Sequence, residues 1–157
     1  MQCLSFRQPW LDAILYGGKR VENRVAWKGS KFRGDLLLHA SSSFSRGYYL
    51  SVIKFLTERN ISWRPKLPTD LVLGAVVGRA KVVDVILPGG YYHRGPTYRP
   101  SIRSDMKHPM AKDRWYMGEF ALVLDEVQAF KSPIPLKGMM GLFEVDDALV
   151  AGAQVIK

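Results

Sequence analysis

Lys19, Glu22 and Arg24 stand close together in the chain and carry the chemistry of an anion site. Arg24 can grip a phosphate or carboxylate through two parallel N–H bonds, whereas Lys19 is a compact charge that burial can turn into a base. If residues 20–25 form a strand, Glu22 and Arg24 project from one face, two positions apart. Two readings are open: a ligand site, or an internal ion pair that pins the strand, because structural ion networks also shift titration. If the chain is an enzyme, Lys19 and Glu22 are its expected catalytic pair, Glu22 activating a water beside the Lys19 charge.

A second group of residues surrounds this one. Arg7 is placed to reach a phosphate. Gln8 has donor and acceptor atoms that suit a base edge, or that bond the backbone at a helix start. Trp10 offers a face on which a base can stack. Its neighbours Leu11 and Ile14 make a core position equally natural, and pattern alone favours the core. Ser5 shares a strand face with Cys3 and Arg7 and is expected to border the cleft. His39 follows three leucines, where a buried neutral imidazole bonded to backbone is the default and a ligand or acid–base role the exception. Ser41 opens a serine run that donates to a phosphate or caps the next helix.

Further along, Arg94, Arg99, Arg103 and Lys107 lie among Tyr91, Tyr92 and Tyr98 in an aperiodic stretch at 88–113. This basic loop reads as an outer arm of the binding surface, or as a solvated loop without one. His39, His93 and His108 stand alone, with no CxxC, HxH or HExxH pattern, so neither a metal nor a cofactor is expected.

Lys and Arg number 23 against 14 Asp and Glu, a formal net charge of +9. A surplus of that size on a small domain favours polyanions through long-range attraction and counterion release. RNA or another nucleic acid, or a nucleotide-like ligand, is therefore the expected partner, with an acidic protein as the alternative. The 157 residues suit one domain over 1–157, since halves would be too small for good cores. A lone cysteine, Cys3, forbids an internal disulfide and fits a reducing, cytoplasmic setting. No apolar run approaches the roughly 18 residues of a membrane span. Arg7 and Pro9 interrupt the N-terminal stretch where a signal peptide would be apolar. A monomer without membrane contact is expected.

The elements that must position these residues follow from periodicity. Residues 2–6 read as a strand, and Pro9 suits the first turn of a helix carrying Leu11, Ile14 and Leu15. Gly17-Gly18 ends that helix, and a strand follows within 19–28. Leu36-Leu37-Leu38 reads as a buried strand. Ser43 or Ser45 caps a second helix with Tyr49, Val52, Ile53 and Leu56 on one face, and Asn60 stops it. Residues 71–87 form a long strand that bends at Gly74 and Gly78. Another runs from Glu119 to Phe130, is broken by Ser132-Pro133-Ile134-Pro135, and precedes a last one at Leu142 to Val145. Five or six strands with two helices and no alternating crossovers predict a closed or half-closed α+β barrel.

Four blocks then combine into a signature. Leu4-Ser5-Phe6-Arg7-Gln8-Pro9-Trp10 is followed by Gly17-Gly18-Lys19-Arg20-Val21-Glu22-Asn23-Arg24, and then by Gly34-Asp35-Leu36-Leu37-Leu38-His39-Ala40-Ser41. Near the end, Pro133-Ile134-Pro135-Leu136-Lys137-Gly138 leads into Gly141-Leu142-Phe143-Glu144-Val145. In this order and spacing the chain resembles the ASCH (activating signal cointegrator homology) family from residue 3 to about residue 146. The resemblance implies a PUA-like β-barrel of mostly antiparallel strands with two flanking helices. It also implies a cleft lined by the Arg7–Trp10 turn and the Lys19–Arg24 segment, which holds RNA or a related ligand. Some members resemble enzymes: one branch hydrolyses the acetyl amide of a modified cytidine, and ribonuclease activity is attributed to another. Lys19 matches the lysine of the amidohydrolase branch by its place after the glycines. The branch's threonine falls at or beside Glu22, which cannot act as a hydroxyl nucleophile, so deacetylation is put in doubt.

Overall fold

The computed structural model describes residues 1–25, 31–86, 108–118 and 120–156. In chain order these form β1 (Gln2–Phe6), α1 (Trp10–Tyr16), β2 (Val21–Arg24), β3 (Gly34–Ala40) and α2 (Arg46–Glu58). They continue with β4 (Ala75–Ile86), β5 (Phe120–Pro135), β6 (Leu142–Glu144) and a one-turn α3 (Asp147–Val150). Single 3-10 turns occupy Pro68–Asp70 and Pro109–Lys112, the latter inside the stretch expected to be a loop. Arg94, Arg99, Arg103 and Lys107 lie outside the described residues.

All six strands join one sheet in the order β2-β5-β4-β3-β1-β6. Only β1 and β3 run parallel; the other ladders are antiparallel. The architecture is thus α+β, with a mostly antiparallel sheet. Among the described residues no ladder joins β6 to β2, so closure into a barrel is not drawn by backbone pairing.

The leucine run of β3 shows why it is continuously apolar. Leu36 and Leu38 face the main core with Leu4, Phe6, Leu122 and Leu124, while Leu37 faces the other way onto Cys3, Val76 and Phe143. Both faces of the strand are covered, so alternation disappears. Each such leucine contributes about 1.5–3 kcal/mol on burial. Leu11 and Ile14 of α1 join the main core, and α2 packs Val52 and Leu56 beside Val21 and Val123 on the opposite face. At Cys3, burial pushes the thiol up to about 12, which leaves it chemically quiet.

Local signals act as the residue types dictate. Gly17 follows α1 so closely packed that a Cβ would lie 2.6 Å from the Trp63 ring, and Gly18 takes φ +71° to turn the chain into β2. Ser45 accepts the Tyr48 amide at 3.3 Å and caps α2, and Asn60 (φ 53°) ends the segment after it.

The prolines of β5 behave differently from expectation. Ser132 to Pro135 does not end the strand; β5 continues through Pro135, and its register against β4 shifts between Val76 and Gly78. The Leu136 amide donates to Gly74 O at 3.1 Å, so amides two apart, at 134 and 136, face β4. Pro133 and Pro135 alternate with them. Their nitrogens point away from β4, toward a side that β2 does not reach, because β2 pairs only with Phe120–Val123. Proline is compatible with such an unpaired edge.

Candidate functional site

The Gly17-Gly18 turn delivers Lys19 directly under α1, where its amide bonds Ala13 O at 3.1 Å. β2 then pairs with β5, Glu22 opposite Leu122 and Arg24 opposite Phe120, which fixes the direction of both side chains. Lys19 is 1% exposed, and its Nζ donates to Glu22 Oε2 at 2.5 Å. Burial pushes the Lys19 ammonium below the ordinary lysine value of 10.5, with the Glu22 carboxylate pulling the other way and the Arg24 charge adding to the depression. Arg24 Nε lies 3.6 Å from Glu22 Oε1. One carboxylate therefore stands between two cations.

Aromatic rings complete this wall. Lys19 Nζ sits 5.5 Å from the centre of the Trp10 ring. Trp10 Nε1 donates to Tyr48 Oη at 2.9 Å, and the Arg7 guanidinium lies 4.2 Å over the Tyr48 ring. Trp10 also meets Phe55 and Trp115 edge-on, with centroids 5.2 and 6.4 Å away. It is half-buried, so it serves the apolar packing and still presents surface to a cavity. That cavity, of about 300 Å³, is lined by Arg7, Trp10, Lys19, Glu22 and Arg24 together with Asn23, Val25, Tyr48 and Met117.

Ser5, His39 and Ser41 fall elsewhere. They line a larger cavity, about 950 Å³, at the ends of β1 and β3, closed on the far side by residues 135–141. His39 is buried; its Nε2 donates to Leu136 O at 2.8 Å, so in the neutral ring Nδ1 accepts from Ser5 Oγ at 3.0 Å. Gly138 rests directly on this pair: a Cβ there would lie 2.5 Å from His39 Cε1 and 2.7 Å from Ser5 Oγ. Only glycine lets the connection from β5 to β6 come so near.

Gln8 stands apart from both cavities. Its Nε2 donates to Val72 O at 3.1 Å and its Oε1 accepts the Asp12 amide at 3.1 Å, so its amide ties the start of α1 to the backbone just before β4. Tyr48, Asn23 and Lys137 also line these cavities and lie outside the candidates that residue type and spacing offer. Asn23 lies inside the Lys19–Arg24 block and holds Trp115 O (2.7 Å) and the Met117 amide (2.8 Å), closing the small cavity from the 115–117 side. Lys137 lies within the Pro133–Gly138 block, which is its available signal. Tyr48 has none beyond adjacency to Tyr49. Among the described residues no three His, Cys, Asp or Glu side chains gather into a metal-holding group.

Fold and site together define an α+β domain with a cationic, aromatic-walled cleft against its edge strand. The ASCH domain model matches residues 4–130, and the chain belongs to the ASCH domain family. A comparison with curated proteins gave no match. No helix of the described residues is long and apolar enough to cross a membrane.

Proposed function

We propose that this ASCH domain binds single-stranded nucleic acid, RNA foremost, in the cleft around Lys19 and Arg24, and acts in RNA metabolism or regulation. The observation that carries this reading is the pairing of cations with aromatic faces in one small cavity: Arg7 on Tyr48, Lys19 beside Trp10, and Arg24 at the rim. Bases stack on such faces with little sequence preference, and the cations track the phosphates. The net charge of +9 extends the attraction beyond the cleft, and the Arg94–Lys107 arm adds to it in this proposal. The working form is a cytoplasmic monomer, one domain whose six-stranded sheet curls into a PUA-like barrel. In a fluorescence-anisotropy titration with single-stranded RNA, log K should fall linearly with log salt, about 0.7 per phosphate contacted. An affinity indifferent to salt would contradict phosphate recognition.

A second reading is a hydrolase acting on a modified nucleoside or on RNA. The buried Lys19–Glu22 contact favours it, because a lysine with a lowered pKa beside a carboxylate can serve as a base. Among the described residues no serine or threonine lines the small cavity, so water is the attacking group in this reading. Lys19→Ala should abolish any turnover of an N-acylated cytidine while the fold persists; unchanged turnover rejects this pair as the catalyst.

A further inference from the structure

Among the described residues, Arg24 alone lines both cavities. It ends β2, and its guanidinium carbon lies 5.1 Å from the centre of the Phe6 ring. Nη2 donates to Ser5 O at 3.0 Å, which anchors one edge of the group. Nε is buried and has no hydrogen-bond partner among the described residues. A guanidinium carries five N–H donors in a fixed fork. The Ser5 bond and the Glu22 carboxylate, 3.6 Å from Nε, hold Arg24 in place, so the donors left for a ligand are those of the Nη groups.

The two chambers differ in chemistry. The smaller is walled by Trp10 and Tyr48 and contains the Lys19–Glu22 pair. The larger presents hydroxyls from Ser5, Ser41, Ser42 and Ser43 with the cation Lys137, and among the described residues no carboxylate lines it. Its volume is about three times that of its neighbour (950 against 300 Å³). Aromatic faces in one and hydroxyls with cations in the other suit two parts of one ligand: a stacked base, then a sugar–phosphate.

We propose that the two cavities are consecutive subsites for one strand, with Arg24 gripping the phosphate that links a nucleotide in the small cavity to the next in the large one. This rests on the nucleic-acid reading and narrows it: the ligand is an oligonucleotide of at least two units, and a free nucleoside fills only half the site. Lys137 and the serine turn are specificity-determining for length. The bidentate fork matters at Arg24, because a point charge cannot span a bridging phosphate in the same way.

Calorimetric affinities for a uridine monophosphate, a trinucleotide and a twenty-nucleotide RNA test this directly. The trinucleotide should bind about tenfold or more tighter than the monophosphate, the increment of filling the second, charged subsite. Lys137→Met, at an exposed position, should shrink that advantage, and Arg24→Lys should shrink it further; circular dichroism checks that each variant is folded. Equal affinity for monophosphate and trinucleotide overturns the two-subsite inference, as does a trinucleotide advantage untouched by Lys137→Met. Failure of all three ligands to bind removes the nucleic-acid reading itself, and the inference with it.

Discussion

Lys19 Nζ and Glu22 Oε2 meet at 2.5 Å with both side chains buried, at the wall of the smaller cavity. An ion pair so placed is a costly way to stabilise a fold, because desolvation offsets most of the attraction. Breaking it from one side is worse. Glu22→Gln leaves a buried ammonium without its carboxylate and should destabilise the domain by about 3–5 kcal/mol in urea unfolding. Lys19→Met should cost less, since Glu22 keeps Arg24 at 3.6 Å. Equal losses for the two substitutions would contradict this account of the pair.

The same burial sets a pH dependence. Lys19 has a folded-state pKa below its unfolded 10.5, so between those values the unfolded chain binds more protons and stability rises with pH. Anion affinity should move oppositely, because the Lys19 charge is lost over that window. Wild type measured against Lys19→Met should therefore gain relative stability and lose relative RNA affinity as pH climbs toward 10.5. Parallel curves for the two proteins would show that Lys19 titrates as an ordinary lysine.

Acid acts at a different place. Burial works to raise the pKa of Asp84, but hydrogen bonds from His108 (2.8 Å), the Val85 amide (2.8 Å) and Arg33 (2.8 Å) outweigh it and bring it below 3.8. A depressed carboxylate stabilises the fold above its unfolded pKa and loses that contribution as pH falls through its folded one. The stability advantage of wild type over Asp84→Asn should thus be present above about pH 4 and shrink as pH falls below 3.8. The carboxylate is half exposed, so the effect is modest. A difference that does not change with pH would count against it.

Gly138→Ala tests the connection over His39. The imidazole is fixed by Ser5 and Leu136 and cannot retreat from a methyl group 2.5 Å away. Overpacking of this kind costs about 1–3 kcal/mol. Thermal unfolding should register the loss, together with a changed environment at the Met139–Gly141 amides. A neutral substitution would mean that the connection is loosely held.

Much of the scaffold was legible because its signals are local. Leu11 and Ile14 at helical spacing, Gly17-Gly18 after them, and Ser45 before α2 each act within a few residues of the structure they specify. The reading of β5 missed because proline forbids pairing on one side only, and the free side depends on where β2 ends. At the site, the Lys19–Glu22–Arg24 spacing was visible while its burial was not. The division into two cavities was invisible for a plainer reason: Leu136 and Gly138 lie about a hundred positions from His39 (|i−j| 97 for the Leu136 bond), and only the sheet order brings them together. Gln8 shows the converse. Its residue type suits a base edge, yet both ends of its amide are spent on backbone.

The location of the ligand tests the central claim most directly. In a titration of ¹⁵N-labelled protein with a short single-stranded RNA, the Trp10 indole Nε1–H, bonded to Tyr48 Oη, reports on the cleft from within. The account predicts that this resonance and the backbone amides of Lys19 to Arg24 shift progressively and saturate together. Saturable binding that moves only the basic surface at Arg79 and Lys81, with Trp10 and Lys19 to Arg24 unmoved, would contradict it.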